Sequence, residues 1–226
     1  MRYERIISGR FIDRPNRFIA HAEADGEVLT CHVKNTGRCR ELLVPGCRVY
    51  LSHSDNPARK TAYDLVAVEK EARLINMDAQ APNQAFREWA EKGLFTPGTH
   101  LVRPEYPFGA SRLDFLIETD AGPHLVEVKG VTLEENGRVF FPDAPTARGT
   151  KHLHELMRAV REGWSATAFF VVQMADVIDF APNARTDPAF TQALRQASEA
   201  GVHICAHSCR VTPYEMEIGQ SVPVVL

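Results

Sequence analysis

Residues 114–131 read DFLIETDAGPHLVEVKGV, two apolar, β-prone runs flanking the turn-like Asp120-Ala121-Gly122-Pro123. Side chains alternate faces along a strand, so Glu127 and Lys129 point one way and Val128 points the other, into a core. The midpoint between positions 114 and 127 falls between Asp120 and Ala121. A hairpin folded there sets Asp114 opposite Glu127, within reach of one shared ion. Two adjacent carboxylates repel and raise a pKa unless a divalent cation joins them. Oxygen ligands of this kind select Mg²⁺ or Mn²⁺ over zinc. The same arithmetic one strand earlier, with a turn at Gly109-Ala110, predicts Glu105, Asp114 and Glu127 in one row across three strands. A slip of one residue would turn Glu105 away.

Outward from this hairpin the chain alternates helix and strand. Residues 83–92, NQAFREWAEK, predict a helix with Ala85, Phe86, Trp89 and Ala90 on one side and Gly93 beyond its end. Glu88 on that helix is a candidate further metal ligand. Strands are expected over 100–107, 111–118 and 124–131. A helix over 146–161 carries an apolar stripe of Leu153, Leu156, Met157 and Val160, with Thr146 as its cap. The run ATAFFVVQ (166–173) predicts a strand buried on both faces. A helix over 188–200 and a strand over 202–211 complete the expected elements. Arg148, Lys151 and His152 fall in the first turns of the helix that starts at Thr146. Cations oppose the helix dipole there, whereas a phosphate partner would justify them. A metal beside Asp114 and Glu127 would activate water for phosphodiester hydrolysis, with Lys129 orienting it and stabilising phosphoryl charge.

Up to about Met77 the pattern is different. Five short strands are expected, over 3–12, 18–24, 28–33, 48–53 and 63–68, with Gly, Pro, Asn and Asp punctuation and no long helix between them. That predicts a small closed barrel of the OB type over 1–80, followed by an α/β domain over 81–226. The net charge of −3 excludes a uniformly basic nucleic-acid coat. Residues 1–60 nevertheless hold 11 Lys and Arg against 7 Asp and Glu, whereas 81–226 hold 13 against 18. A basic front half attracts phosphate and an acidic back half holds metal. Lys34, Arg38, Arg40 and Arg59 in barrel loops, with Arg148 and Lys151, are the expected phosphate contacts.

The five cysteines have no framework spacing, which suits a reducing compartment. The charged start MRYERIISGR lacks a secretory apolar core, and no membrane-length run follows, so a cytoplasmic protein is expected. His203, Cys205, His207 and Cys209 alternate along one predicted strand. They span about 20 Å at ~3.4 Å per residue and so cannot close a tetrahedron, and no zinc is expected. Cys31, Cys39 and Cys47 read as small buried apolar residues.

Several segments together carry a family resemblance: NTG (35–37), LLVPG (42–46), SHSDNPARK (52–60), SRLDF (111–115), EVKGVTL (127–133), AGV (200–202) and the stretch from Phe141-Pro142-Asp143 to Lys151-His152. With Arg17-Phe18, they make the chain resemble the sugar fermentation stimulation protein A family nearly end to end. The resemblance implies DNA binding, an OB-like N-terminal domain and a nuclease-like PD-(D/E)XK C-terminal domain. It places Asp114, Glu127 and Lys129 on the nuclease motif and Glu88 on its helical acidic position. The chain departs from the pattern at Arg38-Cys39, on the basic surface, and at Pro145, which stiffens a loop. Two functions are consistent with this: a DNA-binding protein with a nuclease-type metal site, or a non-catalytic DNA-binding regulator of sugar-metabolism genes.

Overall fold

A computed structural model describes residues 1–35, 37 and 39–226. The strands β1 (Ile6–Asn16), β2 (Ile19–Ala24), β3 (Glu27–Val33), β4 (Arg48–His53) and β5 (Tyr63–Lys70) roll into a closed barrel. Antiparallel pairs run β3-β2-β1-β4-β5, and a parallel pairing from Cys31↔Tyr63 to Val33↔Leu65 joins β3 to β5. Closure removes the free edges that a five-stranded sheet would otherwise expose. Alternation sets the interior, where Ala20, Ala22, Cys31, Val33, Val49 and Leu51 are buried. β5 breaks this alternation, since every residue from Asp64 to Val68 is buried. The second half of the chain packs against it: Leu65 and Val68 share one apolar cluster with Leu113, Phe170 and Phe180.

The second half is built on a six-stranded sheet. It consists of β7 (Thr99–Phe108), β8 (Ser111–Thr119), β9 (Gly122–Val131), β12 (Ser165–Val172), β14 (His203–Thr212) and β15 (Glu215–Val222) in the order β15-β14-β12-β9-β8-β7. The central β9, β12 and β14 are parallel and the flanking pairs antiparallel. α1 (Ala81–Glu91) covers one face, and α2 (Ala147–Arg161) with α3 (Pro188–Glu199) covers the other. Successive residues of β12 show the two-sided burial: Phe169 and Val171 pack with Ala85 and Phe86, whereas Phe170 and Val172 pack with Leu153 and Phe190. Asp187 joins the starts of α2 and α3, one carboxylate oxygen accepting from the Phe190 amide at 2.9 Å and the other from the Thr146 amide at 2.8 Å. Thr146 in turn caps α2 by accepting from the Gly149 amide at 3.0 Å.

Several elements were not expected from the sequence. β6 (Arg73–Asn76) extends the barrel sheet, and β10 (Leu133–Glu135), β11 (Arg138–Phe141) and β13 (Asp179–Pro182) form a separate three-stranded sheet. Three or four residues are too few to show a period. The expected last strand, 202–211, is followed by β15, which pairs with it antiparallel. β1 starts at Ile6 rather than Tyr3, because the extreme N-terminus lies on the other sheet. Arg2 bridges to Glu215, and the Met1 ammonium donates to the Met216 carbonyl at 2.9 Å. The two halves are also joined by polar contacts. Buried Glu134 meets Lys70 at 2.6 Å and Arg73 at 3.2 Å, and the Gln173 amide donates to Asn76 and Asp78 carbonyls. Among the described residues, no helix is long and apolar enough to cross a membrane.

Candidate functional site

The β8–β9 ladder pairs Thr119 with Gly122 and runs without a bulge to Phe115↔Val126. Asp114 and Glu127 come next on their strands, so the hairpin arithmetic puts them opposite each other. At that step the ladder is replaced by a side chain: Asp114 Oδ2 accepts from the Val128 amide at 2.8 Å. Its other oxygen accepts from the Asn83 amide nitrogen, at the start of α1, at 2.9 Å. The approach of α1 depends on Gly130, where a Cβ would lie 2.7 Å from Pro82 Cγ and 2.4 Å from Gln173 Oε1. A larger residue there would push away the turn that carries Asn83.

Glu127 is 2% exposed and sits on the α2 face of the sheet, the face of Leu125. Its Oε1 takes two partners, Lys129 Nζ and His152 Nδ1. Its Oε2 is buried and has no hydrogen-bond partner among the described residues. Burial alone would raise the Glu127 pKa, but the His152 hydrogen bond and the Lys129 charge hold it below the usual carboxylate value. Asp114 goes the other way. Burial first, then the neighbouring Glu127 charge, push it up to about 6. Two carboxylates on one hairpin thus have pKa values displaced in opposite directions, a pattern concentrated at functional sites.

Not every expected ligand reaches this centre. The β7–β8 register is the one inferred, with Pro104↔Phe115 and Tyr106↔Leu113, yet Glu105 does not join the row. Its backbone takes a φ of +55°, which breaks side-chain alternation at that residue, and its exposed carboxylate faces Arg112 at 3.7 Å. Glu88 is also elsewhere, bound to the Met1 ammonium at 2.7 Å. It lies five positions along the helix from Asn83, which at about 100° per residue puts it about 140° around the axis. Asn83 is therefore the α1 residue at the site. Only its place as the first residue of the predicted helix hinted at this. Among the described residues, no group of three or more His, Cys, Asp and Glu side chains is placed to hold a metal ion. His203, Cys205, His207 and Cys209 share β14; His207 stacks on Phe169 with centroids 5.1 Å apart, and Cys209 is buried.

The expected phosphate contacts divide. Lys34 and Arg59 converge on buried Asp64, Lys34 at 3.3 Å with a second contact to Asp78 at 3.3 Å, and Arg59 through Nη1 at 3.0 Å. Both cations are held by internal carboxylates rather than free on the barrel surface. Arg40, Arg148 and Lys151 are exposed. Lys151 Nζ donates to the Ala110 carbonyl at 2.7 Å, and Arg148 Nε donates to His152 Nε2 at 3.4 Å. Arg38 lies outside the described residues. His152, expected beside a phosphate, is instead buried against Glu127.

Chemically, the centre offers one unpaired buried carboxylate oxygen, a second carboxylate of raised pKa and an ammonium. Such a set suits a hard cation of the Mg²⁺ type, which is held by one or two carboxylates plus waters and substrate oxygens rather than by an all-protein cage.

Known proteins share both halves. Residues 12–77 match the SfsA N-terminal OB domain, and residues 80–215 match the Sugar fermentation stimulation protein RE domain. The sugar fermentation stimulation protein homolog of Desulfitobacterium hafniense (strain DSM 10664 / DCB-2) is 53% identical over 226 residues, covering 100% of this chain and 99% of that protein. The homolog of Ruminiclostridium cellulolyticum is 51% identical over 226 residues and covers both chains fully, at 100%. The structure of Pyrococcus furiosus SfsA in complex with Ca²⁺ superposes with a TM-score of 0.90 at 29% identity, over 100% of this chain and 98% of that one. The chain belongs to the sugar fermentation stimulation protein (SfsA) family.

Proposed function

We propose that this chain is a DNA-binding protein whose Asp114–Glu127–Lys129 centre holds Mg²⁺ or Mn²⁺ and hydrolyses phosphodiesters. The observation that carries the reading is Glu127 Oε2, a buried carboxylate oxygen without a partner beside a second carboxylate. A buried carboxylate oxygen left without a partner is costly, and a bound cation removes that cost. The Ca²⁺ complex of the Pyrococcus relative supports a divalent cation in this fold, and the barrel supports nucleic acid as the partner. A bound Mg²⁺ or Mn²⁺ would polarise the phosphate and lower the pKa of a coordinated water. Lys129 stabilises negative charge on the phosphoryl oxygens, its ammonium held in place by Glu127. Asn83 and the Val128 amide fix the direction of Asp114. Arg148 and Lys151, exposed in the first turns of α2, hold the DNA backbone next to the centre.

The test is incubation of purified protein with DNA and Mn²⁺ or Mg²⁺ beside Asp114→Ala. The wild type cleaves, and the variant loses at least about 10²-fold of the rate. Equal cleavage by both, or none with any metal, defeats the catalytic reading. One observation favours a non-catalytic regulator instead: the Lys129 ammonium already offsets the Glu127 charge, and His152 hydrogen-bonds the same oxygen, without a metal. That reading expects salt-sensitive DNA binding that survives Glu127→Gln, with no cleavage.

A further inference from the structure

We infer that His152 is a positioning residue for the cation site: its Nδ1–H holds Glu127 Oε1 so that Oε2, and not Oε1, is the oxygen presented to the ion. The inference rests on the metal reading above and assigns to α2 a role that the carboxylate–lysine motif does not contain.

The geometry gives the imidazole a defined tautomer. Glu127 Oε1 is an acceptor, so the Nδ1 facing it carries the hydrogen. Arg148 Nε donates to Nε2 of the same ring, so Nε2 is the acceptor. Arg148, His152 and Glu127 thus form a relay of donors from the exposed start of α2 to the buried carboxylate. His152 is 5% exposed and Glu127 2%, so neither water nor rotamer exchange readily replaces the contact. Glu127 is left asymmetric. Lys129 and His152 both bind Oε1, and Oε2 has no hydrogen-bond partner among the described residues. Lys129 by itself is a flexible ammonium that follows either oxygen. The ring of His152, fixed on the buried face of a capped helix beside Leu153 and Leu156, is the rigid partner that discriminates between them.

The measurement is Mn²⁺ binding to the full-length protein by isothermal titration, with no nucleic acid present. His152→Ala weakens binding at least about tenfold, the usual effect of losing a group that orients a metal ligand. His152→Asn, whose amide N–H takes the place of Nδ1–H, recovers most of that loss. Circular dichroism and melting curves establish that each variant is folded. If His152→Ala does not fold, His152→Leu fills the same space without a donor and carries the same comparison. Wild-type affinity in a folded Ala or Leu variant overturns the inference, as does an Asn variant no better than either. A wild type that binds no Mn²⁺ removes the metal reading itself, and this inference with it. That failure is distinguishable, because it shows in the unmutated protein.

Discussion

Asp114→Asn should stabilise the metal-free protein while abolishing its metal response. The Asp114 pKa is pushed from an ordinary 3.8 to about 6 by burial and by Glu127. A raised carboxyl pKa means that the folded state binds its proton more tightly than the unfolded chain does. The associated stability is complete below pH ~4, declines as the pH rises through 6 and is absent above it. Two pKa units at about 1.36 kcal/mol each make the ionised group cost about 3 kcal/mol at pH 8. Asparagine keeps an oxygen for the Val128 amide, and Asn83 can turn its own oxygen toward the new amide, so the hydrogen bonds survive. The variant should be about 3 kcal/mol more stable at pH 8, about 6–12 °C in Tm for a chain of this size, with most of the difference gone at pH 4. The assay is urea unfolding of both proteins from pH 4 to 8 in chelator, where terms common to both cancel. Saturating Mn²⁺ should raise the wild-type Tm and leave the variant unmoved. A variant no more stable than wild type at pH 8 would refute the reasoning. An equal gain at pH 4 would also refute it, because packing and not charge would then be the cause.

Two further substitutions test the fold that carries the site. Phe86 lies 4.8 Å from Phe169, 5.1 Å from Phe115 and 5.3 Å from Phe95 between ring centroids, and is fully buried, so Phe86→Ala should cost about 3–5 kcal/mol in chemical denaturation. Glu134→Gln leaves Lys70 and Arg73 without their shared counter-charge at the junction of barrel and sheet. It should cost about 3 kcal/mol and expose the β5–β6 amides to hydrogen exchange before the α2 amides; protection unchanged there would count against a joining role.

The site was legible in the sequence as far as local pairing decides it. A hairpin register follows from where the turn falls, and Asp120–Pro123 supplied a turn that sets the register running to Phe115↔Val126. The β7–β8 register followed from Gly109-Ala110 in the same way. Register, however, fixes opposition and not direction. The positive φ at Glu105 turned that carboxylate out to Arg112, and no periodicity signals such a residue. The resemblance put an acidic ligand at Glu88, on the α1 face that holds the Met1 ammonium, whereas Asn83 reaches Asp114. Charge counting found a basic front half but could not see that Lys34 and Arg59 share Asp64.

The positions of the three helices and of the longer expected strands, the two-sided burial of β12 and the hairpin register that aims Asp114 at Glu127 were determined by the sequence alone, because each depends on side-chain period or on a turn a few residues away. Barrel closure through β3 and β5, the seating of Met1 on the far sheet and the meeting of His152 with Glu127 were decided only by the tertiary structure. These contacts join residues 25 to 215 positions apart. They exist only once the helices and sheets have packed, and the packing depends on the whole buried surface rather than on any stretch of chain.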